Sequence, residues 1–233
     1  MTDVSTASTA GTTSTAAGTT SLRPFTGLSL PGVCFESGHC VWLLDFESTP
    51  TPYGGYTEVW VIGPDGDRTL YVSEEEAIDT VCEYHDFDAT HAAEVTVERD
   101  DERLTLSTTG EDGTRLDCSL AFESTPATRL LGAVARATPS AIARSGVGRA
   151  VSTFSLNALL GLGGLPVGGR TETGREYFAA ADRMYLVGDA TATLDGTDLG
   201  GVVRPPERIA FGDIVTTDRP VAFVGDLFLE YAD

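Results

Sequence analysis

Three segments between Glu94 and Phe122 constrain the fold more than any other part of the chain. Val95 and Val97 alternate with polar residues in 94–99, Leu104 and Leu106 repeat the alternation, and Leu116, Cys118, Leu120 and Phe122 carry it on. Asp100-Asp101 and Glu111-Asp112-Gly113 supply the turns between them. A period of two with one polar face is the pattern of antiparallel strands that keep one face in water. The spacing therefore predicts a three-strand meander.

Other strands can be read around it. The apolar run within 39–47 (Val41, Trp42, Leu43, Leu44 and Phe46) predicts a buried strand. A loop holding Pro50, Pro52, Gly54 and Gly55 follows, and then a second strand, Tyr56–Ile62, rich in aromatic and β-branched residues. Pro64-Asp65-Gly66 turns the chain into a hairpin with 69–72. Ser73 and Glu76 have the spacing of a capping box, which predicts a short helix to about Tyr84. Further strands are expected at 183–187, 190–194, 209–215 and 221–231. Residues 1–21 are mostly Thr, Ser, Ala and Gly and are expected to form a disordered tail, with one domain over 22–233. At least eight strands with two inserted helices predict an α+β, mainly β, antiparallel barrel or sandwich.

The inserted helices fall in 124–171. This stretch contains Arg129, Arg136, Arg144, Arg149 and Arg170 and not one Asp or Glu. Leu130, Leu131, Val134, Ile142, Val147, Val151, Phe154, Leu159 and Leu160 recur at helical intervals, with Leu130, Leu131, Val134, Phe154 and Leu159 expected to be core and Pro139 dividing two helices. The glycines of 161–169 are expected to form a flexible connector. The whole chain carries 35 acidic and 15 basic residues, a net charge of −20, and every basic residue is arginine. Such a surface suits a salt-rich, haloarchaeal-style cytoplasm. It excludes the dense basic stripe of a nucleic-acid binder. With no lysine there is no Walker loop, and neither G-x-S-x-G nor H-E-x-x-H occurs. The four cysteines are expected to be reduced thiols, buried as small hydrophobes.

Two groups of residues are suited to chemistry. The segment 82–91 combines Cys82, His85, Asp86, Asp88 and His91, a set able to move protons or meet a metal, or to serve merely as polar surface. Cys34, His39 and Cys40 could join Cys82 and His85 around zinc, but they lack the C-x-x-C spacing, and no metal or cofactor is expected. Glu47 and Glu58 flank the Pro/Gly loop beside Phe46 and Trp60. Apolar surroundings would raise their pKa values, whereas a wet strand face would leave them ordinary.

Phe46-Glu47, the Pro/Gly loop and Tyr56-Thr57-Glu58, the hairpin of 95–107, and the strands at 190–196 and 225–231 together resemble the acetoacetate decarboxylase-like superfamily. The resemblance covers most of 40–233 and is one of order and character. It implies a closed antiparallel barrel with a central cavity, with Glu47 and Glu58 as cavity carboxylates. It also implies a Schiff-base lysine after the short helix, and this chain has no lysine to fill that role. The expected protein is a cytoplasmic barrel binding a small oxygenated or carboxylate-bearing molecule without Schiff-base chemistry. In an enzymatic version, a metal- or His/Glu-dependent lyase or hydrolase acting on a keto acid, Glu47 and Glu58 would handle protons. His85 or His91 would stand in the lysine's place, and Tyr56 with Arg170 or Arg175 would hold the ligand. A third reading makes the arginine-bearing helices a docking face for a second copy or a membrane surface.

Overall fold

In the computed structural model, which describes residues 20–205 and 207–232, the two ends of the described chain pair with each other. Strand β1 (Thr20–Cys34) runs antiparallel to β13 (Val221–Ala232), with Thr20 opposite Ala232. Thr20 and Ser21 therefore belong to a strand rather than to a tail, and residues 1–19 lie outside the described part.

From β1 the hydrogen bonding passes to β2 (Cys40–Ser48), β3 (Tyr56–Ile62) and β4 (Arg68–Val72), each antiparallel to the last. Helix α1 (Ala77–Cys82) intervenes before β5 (Ala89–Arg99), so that the chain crosses over and β5 pairs with β4 in parallel. The sheet is thus mixed, not wholly antiparallel. Ser73 does not cap α1. Its Oγ instead accepts the Thr57 N–H at 3.0 Å, and Glu76 at the N-cap makes no side-chain cap bond. Strands β6 (Arg103–Gly110) and β7 (Arg115–Glu123) complete the expected meander, with buried and exposed residues alternating as the sequence requires.

Next come α2 (Pro126–Ala137), α3 (Ser140–Ala143) and α4 (Gly146–Leu160), three helical pieces where two were expected. Thr125 and Thr128 cap α2 reciprocally, Ser145 caps α4, and Gly161 ends α4 in the left-handed conformation at φ 67°. After β8 (Gly168–Arg170), β9 (Glu176–Leu194) runs as one long strand where the sequence suggested two short ones. Its end turns back into β10 (Thr197–Asp198), which pairs with it antiparallel, while β11 (Ala210–Phe211) and β12 (Ile214–Val215) form a separate small hairpin. Strand β9 pairs with β13 on one side and β7 on the other, which closes a ring of hydrogen bonding through β13, β1 to β7 and back to β9.

The inside of this ring is filled. Leu28, Leu43, Val59, Tyr71, Leu104, Leu116, Tyr185 and Ala222 belong to one buried cluster that every ring strand reaches, β5 through Ala93, Val95 and Val97. A second cluster lies on the opposite face of β2 and β3, where Trp42, Phe46, Tyr56, Trp60 and Ile62 meet α1, Phe211, and Phe25, Tyr177 and Leu229 from the ends of β1, β9 and β13. Those ends bend away from the ring at paired glycines. Gly27 faces Gly225 across β1 and β13, and a Cβ would lie 2.0 Å from the Asp45 carbonyl oxygen at Gly27 and 2.3 Å from that of Ala180 at Gly225. Only glycine permits both approaches.

Candidate functional site

Strand β3 is buried along its whole length. Its inward residues Val59 and Val61 fill the ring, and its outward residues Tyr56, Glu58, Trp60 and Ile62 are covered by the second cluster. Glu58 therefore sits on a dry strand face. Its side chain is boxed by aromatics: Trp60 Nε1 donates to Oε2 at 2.9 Å, and the Tyr56 phenol lies near enough to favour the ionised carboxyl. Burial raises the Glu58 pKa to about 7, against the pull of those two groups. Burial pushes the Tyr56 phenol well above its ordinary value, with the Glu58 charge adding to the effect.

Beside Glu58 is a cavity of about 90 Å3, bounded by β1, β2, β3, α1, the bent halves of β9 and β13, and the connector after α4. It lies outside the ring, in the crook of the bent strands, whereas a central cavity was expected. Its walls are mostly apolar, and Glu58, His85, Trp42, Tyr177, Ser29 and Asp226 bring polar groups to them. Asp226 accepts the Thr26 hydroxyl at 2.6 Å. Three of the others have an atom with no hydrogen-bond partner among the described residues: the indole N–H of Trp42, Nδ1 of His85 and the hydroxyl of Tyr177. All three residues are less than a tenth exposed. Buried polar groups are ordinarily satisfied, so three orphans around one cavity mark it as a place for a hydrogen-bonding guest.

His85 follows α1 and packs its ring 4.8 Å from Trp60 and 5.6 Å from Phe211. Burial lowers its pKa to about 4, with Glu172 opposing the shift and Arg68 adding to it. Near neutral pH the cavity thus holds a neutral imidazole and a carboxyl that titrates. Trp42 stacks on Trp60 at 5.3 Å, directly across the β2–β3 pairing, and so fixes the indole that holds Glu58. A carboxyl poised near neutrality beside an uncharged imidazole can donate or accept a proton at a bound oxygen.

The other residues singled out in the sequence lie elsewhere. Glu47 is at the exposed end of β2, paired with Arg99, and does not share the cavity with Glu58. His91 is on β5, stacked on Tyr71 and 3.5 Å from Asp112. Arg170 and Arg175 flank the β8–β9 turn, the first bonded to the Gly174 carbonyl and the second to Glu83. Among the described residues no arginine lines the cavity. Tyr56 stands near the Glu58 carboxyl. Cys34 and Cys40, opposite each other on β1 and β2, are joined in a disulfide, and Cys82 is exposed, so only Cys118 is a buried thiol. Among the described residues no three His, Cys, Asp or Glu side chains are placed to hold a metal ion. Nor is any helix among them long and apolar enough to cross a membrane.

Sequence reasoning missed Trp42, Tyr177 and Asp226. Trp42 and Trp60 were visible as large residues in neighbouring strands, and an indole N–H buried on a dry face needs an acceptor. Tyr177 lies where no element was assigned, so nothing placed it.

No family model matches the chain, and no curated protein matches it. Among solved structures, an acetoacetate decarboxylase from Legionella pneumophila is similar at 11% sequence identity, over 91% of this chain and 86% of that one, with a TM-score of 0.44. A likeness at that level carries no argument about this chain, whose function has to be read from the cavity itself.

Proposed function

We propose that this protein binds a small oxygenated molecule in the cavity beside Glu58, in a barrel of the acetoacetate decarboxylase-like kind that works without a Schiff-base lysine. The carrying observation is that one cavity is lined by Glu58, whose pKa is raised, and by Trp42, His85 and Tyr177, each of which has a buried polar atom with no hydrogen-bond partner among the described residues. The volume leaves room for roughly six waters, or a guest of about that many heavy atoms. A ligand oxygen would accept from the Trp42 indole and the Tyr177 hydroxyl, and the protonated Glu58 would donate to it.

The walls favour a neutral guest. A carboxylate would enter with no cation facing it, and a buried unpaired charge is costly. A keto, hydroxyl or protonated carboxyl group meets no such penalty. A second, enzymatic reading has one observation in its favour: Glu58, with a pKa raised to about 7, and His85, with a pKa lowered to about 4, line the same cavity, and such a pair suits general acid or base chemistry on a carbonyl compound.

Calorimetric titration with a panel of small ketones, alcohols and keto acids tests the binding reading. The expected result is saturable binding of a member of the neutral set that weakens above pH 7 as Glu58 ionises, and that Glu58→Gln makes insensitive to pH. Binding of charged keto acids alone, or a pH dependence that persists in Glu58→Gln, would contradict it. Turnover of a keto acid by wild type and not by Glu58→Gln would establish the enzymatic reading.

A further inference from the structure

Of the side chains in 124–171 that helical spacing marks as core, Leu131 packs against the buried cluster of Leu156 and Leu160, but most of the others do not. Leu130 and Val134 on α2, Ile142 on α3, and Val147, Val151 and Phe154 on α4 are all more than half exposed, Phe154 by 74% and Val147 by 76%. Among the described residues every large apolar side chain this exposed belongs to these helices. The burial pattern shows why. Helix α2 packs on the body through Thr128 and Gly132, where a Cβ would lie 2.8 Å from the Asp182 carbonyl oxygen. Helix α4 packs through Leu156 and Leu160. Residues 130 and 134 then project from the far side of α2, and 147, 151 and 154 from the far side of α4. Each helix is apolar on both faces, and only one face is covered.

The arginines do not belong to the uncovered face. Arg136 donates to the Asp182 carbonyl oxygen, Arg144 lies 4.1 Å over the Phe228 ring, and Arg149 pairs with Glu176 at 2.7 Å. Arg129 turns back onto Ser124. The outward surface is therefore apolar and nearly uncharged. With Leu159, itself 52% exposed, these side chains form the kind of apolar surface that soluble proteins ordinarily cover with a partner.

We propose that this face joins two copies of the chain, α2 and α4 of one packing against α2 and α4 of the other across a two-fold axis. Charge selects the second copy over other occupants. The chain carries −20 overall, so two copies repel through almost any other surface, but 124–171 contains no Asp or Glu to meet another. A self-complementary apolar patch is what an isologous interface requires. An anionic bilayer would instead require cations turned outward, and Arg136, Arg144 and Arg149 are engaged with the body of the protein.

Sedimentation equilibrium of the full-length protein in molar salt tests this. The expected mass is twice the 24.5 kDa of one chain. Val147→Asp and, separately, Phe154→Asp change positions that make little contact within one chain, so both should fold with an unchanged circular dichroism spectrum. Each is expected to weaken dimerisation by at least about 30-fold, the change that accompanies loss of a central interface residue worth about 2 kcal/mol. A wild-type mass of one chain at tens of micromolar, or a dimer that both variants leave intact, would overturn the proposal. So would a monomer that co-sediments with phosphatidylglycerol vesicles and loses that binding on Val147→Asp, which would assign the face to a membrane. Glu58 and its ligand play no part in this test, so it stands or falls separately from the cavity reading.

Discussion

The outer face of β3 and the outer faces of α2 and α4 depart from ordinary packing in opposite directions. On β3 a carboxyl is shut among Trp60, Tyr56 and Phe46; on α4 a phenylalanine and two valines stand in water. The first departure costs desolvation and the second leaves apolar surface uncovered, and neither persists without a compensating use. The β3 face is closed by the protein's own chain and leaves a small hole. The α4 face is closed by nothing among the described residues. One therefore fits a small guest and the other a large partner.

The sharpest way to break this comparison is to truncate one aromatic from each region. Trp60 packs against Trp42, His85, Phe87 and Phe211. Trp60→Ala should lower unfolding stability by about 3–5 kcal/mol in denaturant titrations. Phe154→Ala, measured dilute enough to keep the chain monomeric, should change it by less than about 0.5 kcal/mol. Equal losses would mean that the two faces are not different in kind.

A smaller effect separates the two titrating groups of the cavity. The Glu58 pKa is raised from 4.5 to about 7, so the folded state holds that proton more tightly than the unfolded state. Its contribution is complete below pH 4.5 and is lost as pH rises through 7, about 3 kcal/mol in all. The His85 pKa is lowered from 6.5 to about 4, so its contribution is complete above pH 6.5 and is lost as pH falls through 4. Between those limits the two slopes oppose each other and the wild type should change little. Glu58→Gln should expose a stability that rises with pH from 4 to 6.5, and His85→Gln one that falls from 4.5 to 7. Denaturation midpoints of the three proteins across that range check both signs, and matching slopes in all three would remove the cavity's special character.

How much of this contrast was legible in the sequence depends on what each signal encodes. The alternation in 94–122 set register correctly because one face of those strands is wet. Strand 56–62 was also found, yet Glu58 could not be placed, because a near-continuous apolar run does not say what covers its second face. The covering groups, Phe211, Tyr177 and the end of β13, are far away in sequence. Periodicity misled in 124–160: apolar residues at helical spacing read as core, but spacing reports a shared face and not what that face meets. Leu131 does reach the core, but the most buried α2 positions are Gly132 and Thr128, small residues that a search for bulky core does not weigh. The glycines of 161–169 also misled. Asn157 accepts from the amides of Gly164 and Leu165 and donates to the Leu165 carbonyl, and Leu162 and Leu165 are buried, so the connector is pinned.

The smallest effect sharpens the assignment of the orphaned groups. Tyr177 has a buried hydroxyl with no partner among the described residues, so Tyr177→Phe removes an unsatisfied group. Stability without ligand should stay the same or rise by up to about 1 kcal/mol, while affinity for the bound molecule falls several-fold. Thermal unfolding with and without ligand checks this, and a clear loss of stability without ligand would mean that the hydroxyl already has a partner.

The most direct test of the account is a titration of the Glu58 carboxyl itself, followed by infrared difference spectroscopy of wild type against Glu58→Gln. The account predicts a protonated carboxyl band that is missing from the variant and disappears with a midpoint near pH 7. A band lost at the pH of an ordinary exposed glutamate would contradict it, because Glu58 would then be solvated and the cavity would have no poised proton to offer.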